Sequence, residues 1–315
     1  MSAPKLIVVA GPTATGKTRL GILLAQRFGG EIVSADSMQL YRGMDIGTAK
    51  ATPEERAAVP HHMLDVADPD ENWSVSRYVE EAGRCCDGIL RRGKLPVVVG
   101  GTGLYIDSLL SGRDFAAREE DAGLRRALER RWETEGGEAL LRELASFDPE
   151  RAAKLHPSDR RRIVRAIEIY RLTGETISAH DARTAALPPR YEAARIHLGY
   201  ADRAALYARI DARVDEMLAA GLFDEVSALL ASGLSPDCTA MQAIGYKEAA
   251  RALAGEISRE EAAEQIKQAS RRYAKRQLTW FSRAADALRI LWDGPPDFEA
   301  ALRLSTEFLT ARGLS

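Results

Sequence analysis

Short apolar runs recur along the chain and alternate with longer stretches in which apolar residues return every third or fourth position. Leu6-Ile7-Val8-Val9-Ala10, Glu31-Ile32-Val33-Ser34-Ala35 and Leu95-Pro96-Val97-Val98-Val99 read as buried strands. Arg195-Ile196-His197-Leu198-Gly199-Tyr200 and Leu288-Arg289-Ile290-Leu291-Trp292 read as two more. Leu20, Leu23, Leu24 and Phe28 share one helical face after the first strand. Thr52-Pro53-Glu54-Glu55 carries helix-start signals, residues 76–92 follow helical spacing, and a helix capped by Asp202 runs to Gly221. Further helices precede the last strand, and one follows Pro295-Pro296. Strands alternating with helices predict an α/β protein with a parallel sheet flanked by helices. Residues 113–191 break the alternation. There Leu124, Leu128 and Trp132, then Leu140, Leu141 and Leu144, keep helical spacing with no strand pattern. The expectation is an all-helical inserted domain over 113–191, with 1–112 and 192–315 forming the core.

The first strand leads into Gly11-Pro12-Thr13-Ala14-Thr15-Gly16-Lys17-Thr18, a phosphate loop set between strand and helix. Glycines let backbone N–H groups curl around an anion, and the helix N-terminus adds its positive dipole end. Lys17 supplies a point charge to the outer phosphate, and the Thr18 hydroxyl is placed to ligate Mg²⁺. A diphosphate ester fits such a loop as well as a nucleotide. Asp36 follows the second strand, where α/β ligands collect, and reads equally as a metal ligand, a general base or a helix cap. Residues 36–50 form a long polar loop of the kind that is often functional. His61 and His62 are adjacent and so do not face one metal; they suit loop packing or substrate contacts. The strand 95–99 ends in Gly100-Gly101-Thr102-Gly103, with no acidic residue to organise an attacking water as nucleotide-hydrolysing enzymes require.

The chain has 315 residues, 45% hydrophobic and 29% charged, and a net charge of −2, the balance of an ordinary globular protein. No apolar stretch is long enough to cross a membrane, and the N-terminus enters a strand with no room for a signal peptide. Cys85, Cys86 and Cys238 lack metal-site spacing and read as reduced, so a cytoplasmic location is expected. The distribution of charge is more telling than its sum. Arg160, Arg161, Arg162 and Arg165 cluster beside Ile163 and Val164, either as a solvated face or as a phosphate-backbone contact. Arg209 and Arg213 stand one helical turn apart. Between Gln265 and Ala285 there is no acidic residue, while Lys267, Arg271 and Lys275 form a stripe with Tyr273, Trp280 and Phe281 interleaved. That is the footprint of an RNA-binding helix.

With these residues in view, the sequence resembles the tRNA dimethylallyltransferases, also called tRNA isopentenyltransferases. The resemblance rests on residues 11–18, 34–50, 60–65, 99–105, 156–170, 243–248 and 274–281, seven motifs in the family's order. It covers most of the chain and points to the bacterial form, which lacks a zinc-finger tail. One departure is Ser282, which stands before Arg283 where the family usually has a basic residue after Trp-Phe. The resemblance implies transfer of a dimethylallyl group from dimethylallyl diphosphate to the exocyclic amine of the adenine just 3′ of a tRNA anticodon. By resemblance Asp36 is the base, Thr102 positions it, Arg213 binds diphosphate, and Gly11 to Thr18 hold the leaving group with Mg²⁺ on Thr18. The implied tRNA contacts are Asp36, Ser37, Met38, Gln39, Thr102, Arg125, Arg161, Arg162, Ile163, Val164, Arg165, Gln242, Gly245, Tyr246, Lys247, Lys275, Arg276, Gln277 and Trp280. Gln39 would read the flipped adenine's edge, and the insertion would close on the anticodon stem-loop of a tRNA bound by a monomer. Rival readings are a P-loop kinase, a free-nucleotide isopentenyltransferase and a nucleotide-gated RNA-binding module. The basic aromatic helix and the insertion argue against the first two.

Overall fold

A computed structural model describes residues 3–112 and 121–314, and the chain divides into two units, residues 1–110 with 191–315, and residues 111–190. In chain order the first unit opens with β1 (Lys5–Ala10), α1 (Lys17–Arg27), β2 (Glu31–Ser34), α2 (Pro53–Ala58), β3 (His61–His62), α3 (Val75–Arg91), β4 (Pro96–Gly100) and α4 (Gly103–Leu110). The second unit holds α5 (Ala122–Glu135), α6 (Gly137–Phe147), α7 (Pro149–Ala152), α8 (Arg160–Thr173) and α9 (Ile177–Ala185). The expected start of the insertion at residue 113 lies outside the described residues. The chain then completes the first unit with β5 (Glu192–Tyr200), α10 (Arg203–Ala219), α11 (Leu222–Ala231), α12 (Tyr246–Leu253), α13 (Arg259–Phe281), β6 (Leu288–Trp292) and α14 (Phe298–Ala311).

The six strands form one parallel sheet in the order β3-β2-β4-β1-β5-β6. β1 and β4 are central, and every residue of β1 after Lys5 is buried, which is why these strands read as unbroken apolar runs. Ile7, Val9, Ile32, Val97 and Val99 share a core with Leu20 and Leu24 of α1 and Ala301 and Leu309 of α14. Helix starts follow local chemistry. Asp202 accepts from the N–H groups of Ala204 and Ala205, and Thr52–Glu55 and Ser258–Glu261 form capping boxes.

The stretch 36–50 departs from the polar loop expected. It has no regular helix or strand, yet Leu40, Tyr41 and Met44 are buried. Tyr41 and Met44 pack with Val214, Leu222, Val226, Met241, Tyr246 and Ile266 in a second core built by α10 to α13. In the helical unit, Leu128, Leu140, Leu144, Ile163, Val164 and Ile167 form a separate core. Ile163 and Val164, offered above as tRNA contacts, are interior residues there. Amphipathic α8 needs its apolar face for packing, which leaves Arg161, Arg162 and Arg171 among its exposed residues.

Candidate active site

The carboxyl ends of β1, β2 and β4 face a cavity of about 960 Å³ whose lining includes Lys17, Thr18, Asp36, Arg209, Arg213 and Gln277. A second cavity of about 270 Å³ is more apolar, lined by Met38, Ile210, Val214, Ala243, Ile244 and Ile266. Thr13, Asp36, Thr48, Arg213, Met217 and Tyr273 line both.

The phosphate loop takes its shape from left-handed turns at Ala14 (φ 64°) and Gly16 (φ 83°). At Gly16 a side chain would also strike the Phe298 ring, so only glycine fits. The loop is held from behind: Trp292 Nε1 donates to the Thr15 carbonyl at 3.0 Å, and the Thr13 N–H donates to Gln277 Oε1 at 3.0 Å. Lys17 Nζ donates to the Pro12 carbonyl at 2.7 Å. Burial, reinforced by the Arg213 guanidinium and opposed by Asp36, lowers the Lys17 pKa from 10.5 to about 7. Burial and then Arg209 push Arg213 below its ordinary value as well. An anion between Lys17 and Arg213 relieves both penalties.

Asp36 caps a turn at the mouth of both cavities. Its Oδ1 accepts from the Met38 N–H at 2.9 Å, a turn-capping bond, while the residue also lines both cavities. Thr102 does not bond this carboxylate. Its hydroxyl accepts from the Ser37 N–H at 3.1 Å, and its own N–H donates to the Ala35 carbonyl at 3.1 Å. It fixes the turn that carries Asp36, because β2 and β4 are neighbours in the sheet. The Gln39 amide is committed to the same loop: Nε2 donates to the Thr48 carbonyl at 3.1 Å, and Oε1 accepts from Ser34 Oγ at 3.0 Å. That occupies the groups with which it was expected to read a base.

The comparisons with known proteins agree on one family. A family described as IPP transferase matches residues 39–284, and one described as isopentenyl transferase matches residues 4–65. The tRNA dimethylallyltransferase of Geobacillus kaustophilus is 51% identical over 227 residues, 72% of this chain and 71% of that one. The chain belongs to the IPP transferase family. Its fold matches as well. The structure of the tRNA isopentenylpyrophosphate transferase of Bacillus halodurans has a TM-score of 0.73 at 41% identity, covering 98% of this chain and 96% of the other. A eukaryotic dimethylallyltransferase acting on tRNA gives 0.81 at 31% identity, covering 98% and 80%. This IPP transferase is therefore a prenyltransferase enzyme.

The remaining expected contacts of the IPP transferase divide by burial. Lys247, Gln242, Lys275 and Arg276 are exposed. Gln242 donates to the Pro236 carbonyl at 3.0 Å, and Arg276 lies over the Tyr273 ring. Trp280 donates to Asp107 at 2.8 Å. Tyr246 is interior, bonded to Glu225 at 2.5 Å, and Gly245 is the N-cap of α12, so these two form structure rather than surface. In the helical unit, Arg161 and Arg162 are exposed, whereas Arg125 and Arg165 both bond the buried Glu168, at 2.9 and 2.7 Å. The basic stripe of α13 also divides. Lys267 pairs with Asp215 at 2.8 Å and Arg271 with Asp211 on neighbouring α10, so only its C-terminal part is free for other partners.

Residue-pattern reading put Tyr273 only among the aromatics of the RNA-binding helix and missed Glu225. Tyr273 is one turn before Gln277 on α13 and lines both cavities; burial raises its pKa to about 12. The i, i+4 spacing was the available signal. Glu225 accepts from the N–H groups of Asp45, Ile46 and Gly47 at 2.8, 2.8 and 3.2 Å, anchoring the 36–50 loop from 180 residues away. No local pattern announces that contact. His62 pairs with buried Glu31 at 2.7 Å, a packing contact, while His61 bonds the Val59 carbonyl and also lines the larger cavity. Among the described residues no cluster of three His, Cys, Asp or Glu side chains suits a metal.

Proposed function

We propose that this enzyme transfers the dimethylallyl group of dimethylallyl diphosphate to the N6 amine of the adenosine immediately 3′ of the anticodon in tRNAs, releasing diphosphate. The observation that carries the reading is the meeting of a cationic, phosphate-loop cavity and an apolar cavity at one carboxylate, Asp36. The names of the relatives support the choice of substrates.

The diphosphate rests on the phosphate loop, between Lys17 and Arg213, where charge developing on the leaving oxygen is stabilised by groups already desolvated. The allylic C–O bond breaks with its electron pair going to diphosphate. The adenine amine forms the new C–N bond, and Asp36 accepts the amine proton. A stacked anticodon-loop base is out of reach of this site, so the adenosine enters flipped. Lys275, Arg276 and the exposed arginines of α8 hold the RNA backbone. Mg²⁺ fits the donor set, since it commonly takes one or two protein oxygens and completes its shell with phosphates and waters. Thr18 would hold it, and when bound it neutralises charge on the diphosphate oxygens. No helix among the described residues is long and apolar enough to cross a membrane, and we place the enzyme in the cytoplasm as a monomer.

The test is a transfer assay with labelled dimethylallyl diphosphate, Mg²⁺ and unmodified tRNA, with adenosine monophosphate as a parallel acceptor. Label in tRNA alone, absent for Asp36→Ala, is the expected result. Label in the mononucleotide would instead make this a free-nucleotide enzyme.

A further inference from the structure

Gln277 is buried, 5% exposed, although the residues before it, Lys275 and Arg276, are among the most accessible cations of α13. Its amide uses both ends. Oε1 accepts from the Thr13 N–H of the phosphate loop at 3.0 Å, and Nε2 donates to the Gly101 carbonyl at 2.9 Å. A Cβ at Gly101 would collide with that nitrogen, so the glycine is what lets the amide approach. The connection continues. The next residue, Thr102, holds the Ser37 N–H, and Ser37 follows Asp36.

We propose that Gln277 is a positioning residue that sets the spacing between the diphosphate cradle and the Asp36 carboxylate. The sheet alone does not fix this distance, because the cradle follows β1 and the carboxylate follows β2, with β4 between them. One amide on a helix outside the sheet ties the loop after β1 to the turn after β4, and that turn carries the Asp36 loop. Prenyl transfer needs the allylic carbon, the amine and the base closely aligned, so small misplacements are costly in rate, and loss of the Thr13 bond also loosens the diphosphate cradle. Neither end of the amide is free to contact RNA.

The inference rests on the proposed reaction, and its test uses the full chain with a second readout that does not. Gln277→Met keeps side-chain length and loses both bonds; Gln277→Glu keeps the acceptor for Thr13 and loses the donor to Gly101. For Gln277→Met, single-turnover transfer should fall at least about tenfold, while tRNA Kd from filter binding stays within about twofold. Gln277→Glu should also slow transfer. Pyrophosphate titration of the same proteins reports on the cradle without any transfer, and Gln277→Met should weaken it. Should wild-type protein bind pyrophosphate but transfer nothing, the reaction assignment fails and the titration alone judges the cradle. An unchanged transfer rate, or a raised tRNA Kd with the rate kept, would overturn the positioning role. So would unchanged pyrophosphate affinity, or loss of folding in both variants, which would mark Gln277 as a packing residue.

Discussion

Two cationic regions of the same unit obey different physics. Lys17 and Arg213 line a cavity, both with pKa values lowered first by desolvation, and each lacks a carboxylate ion-pair partner among the described residues. Arg272, Lys275 and Arg276 stand on the exposed side of α13 in solvent. The first pair is held at a free-energy cost that a bound anion removes, so it is selective and pH-sensitive. The second set is exposed and screened, so it offers long-range attraction to a polyanion that weakens with salt. A third group, Lys267 and Arg271 on the N-terminal side of α13, is matched by Asp215 and Asp211 and joins two helices. Basic residues that look alike in sequence thus divide by where their counter-charge resides.

The sharpest way to break this comparison is at Lys17. Lys17→Met should lower kcat/KM for dimethylallyl diphosphate by on the order of 10²–10³-fold, because it removes a preorganised charge at the leaving group. If tRNA Kd rose by as much, the separation of the two regions would be wrong.

Next in size is the pH dependence. With its pKa at about 7, Lys17 is partly neutral in the ligand-free protein at neutral pH, whereas a bound diphosphate restores its charge. Pyrophosphate affinity should therefore fall as pH rises through about 7, approaching tenfold per pH unit above it. The stability sign is the opposite. Between about 7 and 10.5 the folded, ligand-free chain binds fewer protons at Lys17 than the unfolded chain does, so this group raises stability with pH across that window. Calorimetric titrations at several pH values check the first statement, and melts with and without pyrophosphate check the second. Lys17→Met should abolish both.

Smaller effects belong to the exposed set. Lys275→Ala and Arg276→Ala should each weaken tRNA binding uniformly and reduce the slope of log K against log salt by about 1, leaving the KM for dimethylallyl diphosphate unchanged. The smallest effect should come from Arg271→Ala. It loses a partly exposed ion pair, so chemical denaturation should register about 1 kcal/mol or less, with the tRNA salt slope unaltered. A reduced slope there would show that the stripe acts as one surface after all.

These divisions bear on how far the residues could be read in order. The strand 288–292 is found where its apolar pattern puts it, and β1, β2, β4 and β5 lie within a few residues of the runs that predict them. Central strands in a parallel sheet bury both faces, so their sequence must be apolar throughout. The phosphate loop is similarly local, since its left-handed turns and helix start are written in consecutive residues. By contrast, Ile163, Val164, Tyr246 and Gln277 looked available for RNA from their motifs and are buried. Gln39 looked free and is bonded to its own loop.

The sequence by itself determined the α/β alternation, the phosphate loop and the presence of a carboxylate after the second strand. Each depends on spacing within a few residues, where backbone geometry leaves few choices. Only the tertiary structure decided that Thr102 holds Ser37 rather than Asp36, that Glu225 anchors the 36–50 loop, and that Gln277 spans Thr13 and Gly101. Those partners are separated by 65 to 264 residues, and whether a polar group meets water, an ion partner or a backbone N–H depends on which elements the fold brings together.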